Sequence, residues 1–162
     1  MVMSLACAHS EAGAHGLGGA ALQTALDRAQ RRCVETGERL TAPRRRVLEL
    51  LLRAGQPIKA YDLIAAFGAD GEAAKPPTVY RALDFLERAG MAHRIASISA
   101  YVACARDEGA HAAAFLICDC CGDTREIETG ALDLTENATS RGYVLDRVTI
   151  EAHGRCPACA AP

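Results

Sequence analysis

Apolar positions along the first ninety residues recur at three and four, the period of helices with one buried face. Leu22, Leu26, Ala29 and Cys33 form such a stripe over Ala20 to Glu35. Cys33 falls on it as a small packed hydrophobe. Val47, Leu48, Leu51 and Leu52 form a second stripe, after Thr41-Ala42-Pro43, which predicts a capping Thr with Pro in the first turn. Gly55 and Pro57 close that helix. A short third helix covers Ala60 to Phe67, with Leu63, Ile64 and Phe67 inward. A loop from Gly68 to Lys75 leads to Pro76-Pro77-Thr78, which opens a fourth helix running through Leu83 and Leu86 to a stop at Gly90.

The period then changes. Ala92 to Ser97 and Ser99 to Cys104 predict a β-hairpin, and the polar run Ala105 to Ala110 predicts a hinge. Beyond it the pattern predicts strands at Ala114 to Ile117 and Thr124 to Ile127, a helix at Leu132 to Arg141, and a strand at Val144 to Glu151. Helices followed by a hairpin describe a winged helix-turn-helix. The expected fold is α+β: a mobile tail (1–18), a winged-helix domain (19–103), a hinge (104–110) and a small α/β domain (111–162).

Composition adds few constraints. Half of the 162 residues are hydrophobic, with no Trp, so Ala, Leu, Val and Ile must fill the core. Cations outnumber acids up to residue 98 and acids outnumber cations beyond it, behind a net charge of −2. That asymmetry fits two domains with different partners. No apolar run reaches the roughly 18 residues of a membrane span, and the N-terminus lacks the basic start and apolar core of a signal peptide. The expected location is the cytoplasm.

Eight cysteines in a reducing compartment point to metal rather than disulfides. Cys118-x-x-Cys121 and Cys156-x-x-Cys159 are two matched pairs, each able to place two thiolates on one ion. Together they make a closed four-sulfur zinc site, which is structural because no coordination position stays open. A CxxC redox pair is the competing reading. His153, three residues before Cys156, is an alternative ligand or a hydrogen-bond donor to the site. Cys120, inside the first knuckle, has no place in the pattern and leaves open an alternative ligand or a redox liability. Cys7, His9 and His15 in the tail could take metal, although a tail without a site is the simpler reading. His93, Cys104, His111 and Glu126 form a mixed nitrogen, sulfur and oxygen set that suits zinc, but each also has an ordinary structural explanation.

The runs AYDLIAAF, KPPTVYRALDFLERAGMAHRI, SAYVAC, HAAAFLICDCCG and IEAHGRCPAC resemble the ferric uptake regulator superfamily, and within it the zinc uptake regulator branch, from about Thr41 to Cys159. The resemblance implies a homodimeric, metal-dependent repressor that binds double-stranded operator DNA, is no enzyme, and acts on no small-molecule substrate or membrane. It implies dimerisation through the C-terminal domain and two zinc ions per chain. One is structural, at Cys118, Cys121, Cys156 and Cys159; the other is regulatory, at His93, Cys104, His111 and Glu126. Iron-sensing relatives typically carry a His-His-Asp-His run before the first CxxC, where this chain has HAAAFLIC with His111 alone. Cys104 adds a donor softer than an iron site uses.

On the DNA side the helix from Pro77 to Ala89 is the expected recognition helix. Arg81 suits a bidentate contact to guanine, beside Tyr80 and Thr78. Tyr61 suits a thymine methyl or a phosphate. Arg44, Arg45, Arg46, Lys59 and Lys75 are expected phosphate contacts that set register. Three alternatives stand beside this reading. One is a family member sensing iron, manganese or nickel. Another is a structural zinc-ribbon module, which needs no second metal. The third, an enzyme with Cys104 as nucleophile and His111 as base, lacks any glycine-rich oxyanion loop.

Overall fold

The computed structural model describes residues 16–68, 75–104, 112–128 and 134–160. Cys7, His9, His15, His111 and almost all of the expected tail and hinge lie outside the described residues. The chain divides between Ala110 and His111 into two compact units.

The N-terminal unit holds helices α1 (Gly19–Glu35), α2 (Ala42–Ala54), α3 (Ala60–Phe67) and α4 (Pro76–Arg88). It also holds strands β1 (Ile58–Lys59), β2 (Ala92–Ile95) and β3 (Ala100–Ala103). The predicted stripes are its core: Leu22, Leu26 and Cys33 from α1, Val47, Leu48 and Leu51 from α2, Leu63 from α3, and Val79, Leu83, Phe85 and Leu86 from α4. Burial pushes the Cys33 thiol up, as expected of a packed, inert sulfur. Helix α2 stops at Gly55, whose φ of 61° is left-handed and whose N–H returns to the Leu51 carbonyl at 3.1 Å.

Sequence and structure differ at three places in this unit. Thr41 occupies the N-cap position of α2 but makes no side-chain cap, so Pro43 alone carries the start signal. The hairpin is shorter than expected at both strands. It gains a third strand, β1, pairing Ile58 with Tyr101 and Lys59 with Ala100, in the order β1-β3-β2. Two residues are too few for an alternation pattern to reveal. The result is a winged helix, with α3 and α4 as its helix-turn-helix.

The C-terminal unit holds β4 (Ala113–Cys118), β5 (Thr124–Ile127), α5 (Leu134–Ser140), β6 (Thr149–Gly154) and α6 (Pro157–Ala160). Strand β4 is central, antiparallel to β5 and parallel to β6. Its burial on both faces at Ala113, Ala114 and Phe115 is what a strand flanked on both sides shows. The expected strand at Val144 to Glu151 is displaced: pairing starts at Thr149, opposite Ala113, and runs to Gly154. Val144 is 91% exposed and no strand of the unit lies opposite it. The alternation of residues 144–150 is therefore not one sheet face. The expected helix at Leu132 to Arg141 is described from Leu134 to Ser140, and the four-residue α6 was not anticipated.

Candidate metal centre and nucleic-acid interface

The end of β4 and the end of β6 are neighbours because the strands run parallel, Ile117 opposite His153 and Cys118 opposite Gly154. Each strand then turns at once into a CxxC knuckle. In the first, Gly122 N–H donates to the Cys118 carbonyl at 2.9 Å with a left-handed φ of 78°, a conformation that glycine adopts without strain. In the second, Cys159 N–H donates to the Cys156 carbonyl at 2.9 Å in the opening turn of α6.

Parallel pairing thus brings together four sulfurs, those of Cys118, Cys121, Cys156 and Cys159, all within 4.8 Å of one another. Cys121 Sγ and Cys156 Sγ are 3.7 Å apart. A tetrahedron with Zn–S bonds of about 2.3 Å has edges of about 3.8 Å, so that pair already stands at a zinc edge and the donor set as a whole fits zinc. Cys156 N–H donates to Cys118 Sγ at 3.3 Å. Backbone N–H groups of Cys121 and Cys156 directed at that sulfur lower the Cys118 pKa to about 6, so it is a thiolate at neutral pH. Burial, with the neighbouring thiols, pushes Cys159 up to about 12. One sulfur is ready for metal, and another releases its proton on binding.

Cys120 is exposed and is not one of the four. His153 is not one either. Its Nδ1 lies 2.8 Å from Asp119 Oδ1, and Asp119 N–H donates to the Gly154 carbonyl at 2.9 Å. His153 therefore ties the second knuckle to the first from outside the sulfur cluster. Asp119, the partner that orients it, was missed in the sequence; its place between Cys118 and Cys121 was the available signal.

The other expected ligands are placed within their own units. His93 sits on β2 opposite Val102, and Cys104 follows β3 with its N–H on the Met91 carbonyl at 3.0 Å. Cys104 is two residues from Val102, so His93 and Cys104 are diagonal neighbours on one face of the wing. Both are half-buried. In the C-terminal unit, Glu126 is a half-buried residue of β5 opposite Phe115.

Helix α4 presents its solvent face as predicted. Val79, Ala82, Leu83, Phe85 and Leu86 are buried, which leaves Tyr80 and Arg81 exposed near the N-terminal end and Thr78 half-buried before them. Pro76 and Pro77 start the helix with Lys75 exposed at its N-cap. Tyr61, in the first turn of α3, is 79% exposed. Arg44 differs from expectation. Its guanidinium lies 3.5 Å from the centroid of the Phe85 ring and Nη1 donates to the Arg39 carbonyl at 2.6 Å. Arg46 is likewise engaged, with Glu49 at 3.2 Å.

No helix among the described residues is long and apolar enough to cross a membrane. The sequence profile of the Ferric uptake regulator family matches residues 35–153. The zinc uptake regulation protein of Escherichia coli (strain K12) is 41% identical over 140 residues, 85% of this chain and 82% of that protein. A crystal structure of holo XcZur superposes with a TM-score of 0.75 at 41% identity, covering 86% of this chain and 99% of that one. A zinc uptake regulator complexed with zinc and DNA superposes at 0.74, with 37% identity over 87% of this chain and 96% of that one. The profile match covers most of the chain and spans both units: this chain belongs to the ferric uptake regulator family.

Proposed function

We propose that this chain is a zinc-responsive transcriptional repressor, whose zinc-loaded homodimer binds a palindromic DNA operator and silences zinc-uptake genes in the cytoplasm. It has no catalytic role. The observation that carries the reading is the exposed Tyr80–Arg81 face of α4, in a chain that also builds a closed four-sulfur centre. The zinc uptake regulator solved with zinc and DNA supports it.

Two zinc ions per chain serve different ends. Cys118, Cys121, Cys156 and Cys159 hold the structural ion, which contributes folding free energy to the C-terminal unit. His93, Cys104, His111 and Glu126 hold the regulatory one. The placement of His93 and Cys104 on one face of the wing supports this set. When these four side chains share one ion, the wing and the C-terminal unit are joined, and the separation of the two recognition helices in the dimer is set. Operator half-sites repeat about every 34 Å, so that separation decides affinity. Exposed Leu134, Tyr143, Val144 and Leu145 supply apolar surface for the dimer in the C-terminal unit.

At the DNA, Arg81 donates both arms of its guanidinium to guanine O6 and N7, and Tyr80 lies beside it. Lys75 and Thr78, at the N-terminus of α4, meet the phosphate, where the helix dipole also favours negative charge. Tyr61 packs on a thymine methyl or a phosphate from the first turn of α3.

The test is fluorescence anisotropy of an A/T-rich palindromic duplex in buffered zinc, iron and manganese. Binding that appears with zinc and reverses with chelator, while the fold persists, is expected. Affinity indifferent to metal overturns the switch, and a response to iron or manganese alone overturns the choice of metal.

A further inference from the structure

The position of α4 is fixed from outside by two arginines that the DNA-binding reading does not use. Arg44, in the first turns of α2, stacks on Phe85, and Phe85 is buried in the last turn of α4. The Arg44 side chain keeps only 26% of its exposure; besides donating to the Arg39 carbonyl, it lies 4.0 Å from Glu38 Oε2. Arg32, in the last turn of α1, reaches 57 residues along the chain and donates Nη2 to the Ala89 carbonyl at 2.8 Å. Ala89 is the C-cap of α4, where carbonyls lack intrahelical partners and the helix dipole is negative. One arginine holds a ring in the last turn of the helix, and the other neutralises its C-terminal end.

We infer that Arg44 and Arg32 are positioning residues that fix the azimuth and axial position of α4, and that Arg44 is no phosphate contact. The inference rests on α4 being the DNA-reading helix. The chemistry follows from geometry. A guanidinium stacked on a ring, with one amino group on a carbonyl, is directed by those partners and not by a phosphate. The planar fork stacks and donates in fixed directions at once, whereas an ammonium over the ring is a point charge that fixes no orientation. A rotation of α4 by a few degrees moves Arg81, one turn before Phe85, off a guanine edge, where bidentate geometry is demanding.

The test uses full-length zinc-loaded protein and two duplexes: one selected by the wild-type protein from a randomised pool, and a scrambled duplex of the same composition. Affinity is measured against KCl concentration for wild type, Arg44→Lys, Arg44→Met, Phe85→Leu and the Arg44→Met/Phe85→Leu double variant. A positioning role predicts that Arg44→Met weakens the selected duplex by about 3- to 30-fold, the range of a stacked cation–π contact. The scrambled duplex and the salt slope stay unchanged, Arg44→Lys does not restore affinity, and Phe85→Leu reproduces the loss without adding to it. A phosphate contact predicts the opposite. The slope falls by about 0.9 per contact, both duplexes weaken equally, Lys restores binding and Phe85→Leu is silent; that result overturns the inference. If wild type selects no duplex, the DNA-binding reading itself fails. Amide hydrogen exchange then still tests the anchor, because faster exchange of residues 86–91 in Arg44→Met and Arg32→Gln is required by it and unchanged exchange refutes it.

Discussion

Removing one structural thiolate, by Cys118→Ser, should unfold the C-terminal unit and leave the N-terminal unit standing. The asymmetry comes from where apolar side chains are buried. The contiguous core lies in the N-terminal unit, with members on all four of its helices. In the C-terminal unit the buried hydrophobics are Ala113, Ala114, Phe115, Ile117 and Cys118, all on β4, while α5 and α6 bury none among the described residues. Phe115 and Ile117 are the only large ones, worth together about 3–6 kcal/mol. A four-ligand zinc site contributes about 10–16 kcal/mol in small domains at neutral pH. The metal therefore outweighs the core of this unit by a factor of about two or more, and a weakened site cannot be offset by packing. Hydrogen exchange read by mass spectrometry on peptides of each unit checks this. In Cys118→Ser, peptides covering 113–118 and 149–154 should exchange at rates near those of an open chain, while peptides from α2 and α4 keep wild-type protection. Sedimentation should show loss of the dimer. Wild-type protection of β4 in a variant that has lost its tight zinc would refute the reasoning, because packing alone would then hold the sheet.

The other expectations are more local. Cys104→Ser should keep fold, dimer and one tight zinc, yet lose zinc-dependent operator binding; a phenotype equal to that of Cys118→Ser would deny the division of roles. Arg81→Ala should cost about 1–3 kcal/mol in operator affinity and relax preference at one base pair per half-site, which a panel of singly substituted duplexes reads directly. Cys118 ionises at about 6 rather than 9.0. Its contribution to folding of the metal-free unit is thus complete above pH 9.0 and lost as pH falls through about 6. Asp119 beside His153 raises the imidazole pKa above 6.5, so Asp119→Asn should lower the His153 midpoint in an NMR titration. The contribution of this pair is present at low pH and lost as pH rises through the folded-state value.

What was legible in the sequence followed from period and spacing. The stripes of α1 to α4 were legible because each helix buries one face, and the CxxC pairs because two knuckles of equal spacing have few other uses. Strand β6 was misread because Val144, Val148 and Ile150 alternate without sharing a sheet face; its true extent is set by the length of β4, a partner more than thirty residues away. The partners of Arg44 were hidden for a similar reason. An arginine at the start of α2 looks like a phosphate contact when only its own helix is considered, and its stacking partner lies 41 residues later on α4. Asp119 was passed over because a carboxylate between two cysteines has no pattern of its own, and only the parallel register that sets Cys118 opposite Gly154 brings His153 to it.

These misreadings share a physical cause that also bears on how the protein works. Periodicity reports what one element buries, whereas β6, Arg44 and Asp119 each depend on a partner brought near by the fold. In this chain such long-range partners orient the parts that bind. Asp119 and His153 link the two knuckles, Arg32 and Arg44 hold α4, and the register of β2 with β3 sets His93 and Cys104 side by side. The groups proposed to bind, four cysteines and the Tyr80–Arg81 pair, are of types the sequence displays openly. A variant that keeps every zinc and DNA contact but loses one orienting partner should fold, load its structural zinc and still discriminate poorly between operator and scrambled DNA. Specificity in this protein then resides as much in the residues that orient as in those that touch.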